Sequence, residues 1–111
     1  MNVERLLVRH CEVVRRHPDG EDVYGNVTMV DEVTATRCYA EQRRSAEPAA
    51  AGERAVSDWL VMLPAGIDVT IADAIRPAGA PSLEVVGDPW AVHNPRLNQT
   101  SHIELLARET G

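Results

Sequence analysis

Ala55-Val56-Ser57-Asp58-Trp59-Leu60-Val61-Met62-Leu63 is the stretch on which the fold turns. Trp59, Val61 and Leu63 stand opposed to Leu60 and Met62, a period of two that belongs to a strand and not to a helix. Both sets are apolar, so this strand is expected to be covered on both sides, by its own core and by a neighbouring element or a partner. Pro64-Ala65-Gly66 ends it.

The same period extends in both directions along the chain. Upstream, residues Val27 to Val33 and Thr34 to Arg44 are rich in β-branched residues and read as strands. In the second, Cys38 and Ala40 share one face while Arg37, Tyr39, Glu41 and Arg43 share the other. Earlier still, Cys11, Val13 and Arg15 alternate with Glu12, Val14 and Arg16. His17-Pro18-Asp19-Gly20 is expected to break that strand, and Tyr24-Gly25-Asn26 to form a second turn. Asn2 to Arg9 reads as a short helix within an N-terminal segment 1–10, with Asn2 as cap and Val3, Leu6, Leu7 and His10 on one face.

Downstream, residues Val69 to Ala74 and Leu83 to Val86 read as shorter strands separated by Arg76-Pro77-Ala78-Gly79-Ala80-Pro81. Residues Gly87 to Gln99 read as a loop. In the closing strand, Ser101 to Arg108, Ile103, Leu105 and Ala107 oppose His102, Glu104 and Arg108. Six or seven short strands with turn signals between them, almost no helix and no internal repeat predict an all-β fold, a small barrel or sandwich. At 111 residues it forms one domain over 1–111.

One segment departs from the pattern. Ser45-Ala46-Glu47-Pro48-Ala49-Ala50-Ala51-Gly52-Glu53-Arg54 has little to bury, and it lies between two strong strand patterns. It is expected to be a long hairpin loop over residues 43–55.

Composition narrows the function. Apolar residues make up 44% of the chain, with two Trp, two Tyr and no Phe, so the core must be mostly aliphatic. Eleven basic residues, all Arg, face 17 acidic ones, a net charge of −6. That balance disfavours gripping nucleic acid through its phosphates, or docking on an anionic membrane. No apolar run approaches the roughly 18 residues of a membrane span, and the N-terminus lacks the pattern of a signal peptide. Cys11 and Cys38 make no disulfide framework and are expected to be reduced.

The residues that could carry chemistry lack the spacing for it. Cys11, Cys38, His10, His17, His93 and His102 contain no Cys-x-x-Cys or His-x-x-x-His pair, so zinc is not expected. Ser57, His102 and Asp58 have the types of a nucleophilic triad, but there is no Gly-x-Ser-x-Gly elbow and no phosphate-binding glycine loop. The chain is expected to be no enzyme and to need no cofactor. Contact residues are the more promising class: Trp90 follows Asp88-Pro89 in a loop, where it either packs on its own barrel or anchors a neighbour. Arg15 and Arg16 either pair with acids of an adjacent subunit or stay solvated, and Leu6 and Leu7 dock either on this barrel or on the next.

The order of these signals resembles the head–tail connector, or head-closure (stopper), family of long-tailed bacteriophages. The matching pieces are Asp22-Val23-Tyr24-Gly25-Asn26, Thr34-Ala35-Thr36-Arg37-Cys38-Tyr39, and the strand from Trp59 ending in Leu63-Pro64-Ala65-Gly66. They continue with Asp68 and Ala72-Asp73, Val85-Val86-Gly87-Asp88-Pro89, Asn94-Pro95 and His102-Ile103-Glu104. Together they span about 90 residues in fixed order, although each is unspecific alone.

The resemblance implies a small β-barrel, SH3-like or related, that forms a ring at the virion neck after assembly in the host cytoplasm. Six copies are implied, with twelve as the alternative. The ring would contact the portal-adaptor protein above and the tail terminator or tail tube protein below. It would retain packaged double-stranded DNA in its lumen without sequence specificity and without a membrane. The channel loop would comprise Arg43, Arg44, Ser45, Ala46, Glu47, Pro48, Gly52, Glu53 and Arg54. The rival readings are another neck or tail completion protein, such as a tail terminator, and more remotely a small oligonucleotide-binding barrel. The few aromatics and the acidic charge argue against the last.

Overall fold

The structure, a computed structural model, describes residues 3–43 and 58–109. Six antiparallel strands run in chain order: β1 (Arg9–Glu21), β2 (Val27–Arg43), β3 (Asp58–Pro64), β4 (Ala74–Pro77), β5 (Leu83–Asn94) and β6 (Gln99–Glu109). They close into a barrel in the order β1-β2-β3-β6-β5-β4. The all-β barrel read from the sequence is therefore the observed architecture.

The N-terminal helix is not formed. A single 3-10 turn, Val3–Leu6, stands in its place, and the chain is already in β1 at Arg9. A helix this short cannot repay its nucleation cost, while the backbone from Arg9 onward gains a full ladder against β2.

Closure explains the length of β2. From Val33 the ladder passes through Val14, Ala74, Glu84, Arg108 and Asp58 and returns to β2 at Arg43, ten residues further along. A barrel that closes with such a stagger needs strongly tilted strands. β2 therefore serves two partners in succession, β1 along its first part and β3 from Tyr39 to Arg43.

Two strands run through segments that read as breaks. His17-Pro18-Asp19-Gly20 lies inside β1, because beyond Val14 only one edge of β1 is paired and a residue without an N–H interrupts no second ladder. A bulge between Pro18 and Glu21 absorbs the extra residue, with Gly20 at φ 88°. Likewise Gly87-Asp88-Pro89 does not end β5 but forms a bulge between Val86 and Trp90, with Gly87 at φ 74°. The expected strand over 69–74 is instead an irregular segment and turn, and the strand begins only at Ala74.

The core is small and aliphatic. Cys11, Val13, Cys38, Val61, Leu63, Ile75, Leu83, Val85, Leu105 and Ala107 meet inside the barrel, with Trp59 as the one large ring. Each strand contributes alternate residues, as the period of two requires. Past the barrel, β1 and β2 continue as a two-stranded arm to the Asp22–Asn26 turn, and β5 and β6 end in a short hairpin tip beyond Val92 and His102.

Candidate functional site

The β1–β2 arm is built from its turn inward. The Asp22 carboxylate accepts from the backbone N–H groups of Tyr24 (2.8 Å) and Asn26 (2.9 Å), and the Asn26 N–H bonds hold its carboxyl below the usual range. This rigid turn presents Val23 and Tyr24 with 92% and 86% of their surfaces exposed. A tip that offers two large apolar side chains to water is shaped for contact with another molecule. Asp19, Glu21 and Asp22 around it, with Asp31 and Glu32 further in, make the arm acidic.

At the base of the arm stands an ionic clamp. Arg15 donates from Nε (3.0 Å) and Nη2 (2.9 Å) to the two oxygens of Asp73, and from Nη1 to Asp68 (2.8 Å). Asp73 is buried and also accepts from the Thr70 N–H at 2.8 Å. Burial pushes the Asp73 carboxyl up, but the Arg15 fork and the Thr70 N–H outweigh it and hold it below the usual range. The clamp ties the irregular 65–73 segment, which crosses the end of the barrel, to the root of the arm. It aims the arm.

Beside it lies an open groove of about 450 Å³, lined among others by Arg16, Asp31, Ile71, Arg76 and Glu84. Its walls carry both signs of charge in near balance, which selects no anion and no cation. Among the described residues, no group of three or more His, Cys, Asp or Glu is placed to hold a metal.

The residues singled out from the sequence are distributed over the barrel. Leu7 is buried within its own chain and Leu6 half-buried. Arg15 is engaged in the clamp, whereas Arg16 faces Asp31 across the arm and has no side-chain partner among the described residues. Trp90 stands exposed on β5 opposite Glu104. Arg43 ends β2, opposite Asp58, so the two ends of the 44–57 connection lie side by side. Arg44, Ser45, Ala46, Glu47, Pro48, Gly52, Glu53 and Arg54 lie outside the described residues, as does Ser57. Asp58 pairs with Arg108 at 3.2 Å. The His102 ring sits between Ser101 Oγ (3.0 Å) and a Glu104 oxygen (2.9 Å).

No protein-family model matches this chain, and no curated protein does.

The clamp was not legible in advance. Arg15 and its two acids are more than fifty residues apart, and no local pattern links them. The thiols are a different case. Cys11 and Cys38 do meet in the core, where the hydrogen bond with Cys38 and then burial push the Cys11 thiol far up. Native protein is therefore expected to react with Ellman's reagent only as fast as it unfolds, and both thiols should titrate at once in denaturant. Rapid labelling of either in the native state would contradict their burial.

Proposed function

We propose that this chain is a ring-forming structural subunit of a bacteriophage neck, a head-to-tail stopper that joins the DNA-filled capsid to the tail. The observation that carries the reading is a closed barrel with a projecting two-stranded arm that ends in an exposed Val23-Tyr24 pair. Such a molecule works through shape and contact: the barrel is the rigid body, the clamp directs the arm, and the exposed apolar groups need partners. The signal order along the chain, from Asp22-Val23-Tyr24-Gly25-Asn26 to His102-Ile103-Glu104, supports the same reading.

In this proposal the portal adaptor lies above the ring and a tail terminator or tail tube protein below it. The expected channel loop, residues 43–55, lies beyond Arg43 outside the described residues; in this proposal its small residues would retain double-stranded DNA and later let it pass. The protein would reside in the virion. Purified chain imaged with and without a candidate adaptor tests this: closed rings of six copies are expected, or of twelve. A chain that stays monomeric under both conditions and binds short single-stranded DNA tightly at low salt would instead be an oligonucleotide-binding barrel.

A further inference from the structure

Cys11 and Cys38 are the two cysteines of the chain, and the β1–β2 ladder sets them side by side. Arg9 pairs with Cys38 and Cys11 with Thr36, so the two thiols are diagonal neighbours on adjacent strands. Both are free, both point into the barrel at 3% and 0% exposure, and both belong to the same core cluster. A buried cysteine is commonly no more than a small hydrophobe. This pair is also chemically unequal. The Cys11 S–H donates to Cys38 and, against the opposing effect of burial and with help from Arg9, holds the Cys38 thiol below its usual range. Cys11 is pushed far up by the same contact. One thiol is thereby the better nucleophile, and the other lies against it as a resolving partner.

Their place in the barrel decides how an oxidant reaches them. β4 closes the barrel and is its shortest strand. It pairs with β5 only through Ala74 and Ile75, and with β1 only from Cys11 to Val14. Cys11 lies at the end of that seam opposite Pro77, which has no N–H to give the ladder. The β1–β2 ladder, by contrast, runs from Arg9 to Glu21. Unfolding is therefore expected to begin at β4, uncovering Cys11 while the longer ladder still holds Cys38 beside it.

We infer that Cys11 and Cys38 are a redox pair, which a small disulfide oxidant such as oxidised glutathione converts into an intramolecular disulfide that locks β1 to β2. The Cys38 thiolate attacks one sulfur of the oxidant, forms a mixed disulfide and releases one glutathione thiolate. Cys11 then gives its proton to that thiolate, attacks the Cys38 sulfur and releases the second glutathione. Two protein thiols are oxidised, and one disulfide reagent is reduced to two thiols. The new bond closes a loop over residues 12–37 and so restricts the unfolded chain. Diagonal neighbours stand slightly wider apart than a relaxed disulfide spans, so closing the bond draws the strands together and leaves it strained. A strained bond of this kind is made in oxidising surroundings and undone in reducing ones. This chemistry does not depend on the ring reading.

The test uses the full wild-type chain, incubated with oxidised glutathione in mild denaturant so that the barrel opens repeatedly. The expected product has lost both thiols and the mass of two hydrogens, carries no glutathione, and runs as a single chain on a non-reducing gel. It should form at the rate at which Ellman's reagent reaches the thiols, and dithiothreitol should reverse it. After removal of denaturant, the oxidised chain is expected to melt roughly 5 °C above the reduced one. Cys11→Ala should stop at a mixed disulfide on Cys38, because the resolving thiol is gone. A wild type that ends with a glutathione on each cysteine, that links two chains, or that keeps both thiols in excess oxidant would overturn the proposal. So would an oxidised chain that melts below the reduced one, because the bond would then not fit the closed barrel.

Discussion

Leu105→Ala is expected to lower the unfolding free energy by about 3 kcal/mol, while Leu106→Ala should cost less than about 1 kcal/mol. The two leucines are neighbours in β6, yet Leu105 is fully buried among Val61, Leu63 and Ile75, and Leu106 points outward. Truncating Leu105 removes the transfer free energy of its methyl groups and leaves a cavity that a closed barrel cannot easily collapse. In a domain of this size the loss corresponds to a melting shift of roughly 10 °C. Leu105→Met, which keeps the volume, should recover most of it. Denaturant titration of the three variants checks this, and similar costs at 105 and 106 would mean that the register of β6 is wrong by one residue.

Asp73→Ala is the second large effect, about 2–3 kcal/mol. It removes the acceptor of two Arg15 donors and of the Thr70 N–H, and it frees the 65–73 segment from β1. The cost falls below that of a fully buried pair because the Arg15 side chain is one-third exposed and water can solvate what it loses. The clamp also sets a pH dependence. Asp73 and Asp68 both titrate below their ordinary values in the folded chain. Their contribution is therefore complete above the unfolded carboxylate value of about 3.9 and disappears as pH falls through the folded values. Wild type and Asp73→Asn should differ most at neutral pH, and the gap should close as the solution is acidified below about pH 4. A gap that stays constant down to pH 2 would mean that Asp73 is not ionised in the clamp.

The exposed apolar surfaces divide in the same way between what local pattern reveals and what it hides. Trp90 could be singled out because a large ring after Asp88-Pro89 is conspicuous, but its exposure follows from the β5 bulge. Met29 and Val33 read as ordinary strand residues, since alternation shows that they share a face without showing that the face is uncovered. Leu106 is equally silent: the apolar pair Leu105-Leu106 breaks the alternation, and only pairing with Leu60 and Val86 gives the second leucine a surface to belong to.

Local sequence by itself determined the class of the fold and much of its core. Alternation in Trp59-Leu60-Val61-Met62-Leu63 and in Ile103 to Ala107 identifies strands and their inward faces, because the pleat turns a period of two into two sides. Tyr24-Gly25-Asn26 identifies a turn because the chain there prefers to bend. Tertiary structure alone decided where the strands stop, how the barrel closes and what Arg15 holds. Pro18, Gly20, Gly87 and Pro89 weaken a strand locally, but each lies opposite a continuous partner whose ladder and bulges carry the chain through. The 3-10 turn replaces the expected helix for the same reason. Pairing between distant segments supplies hydrogen bonds and burial that outweigh preferences worth about 1 kcal/mol per residue, and no local window of the sequence contains both partners.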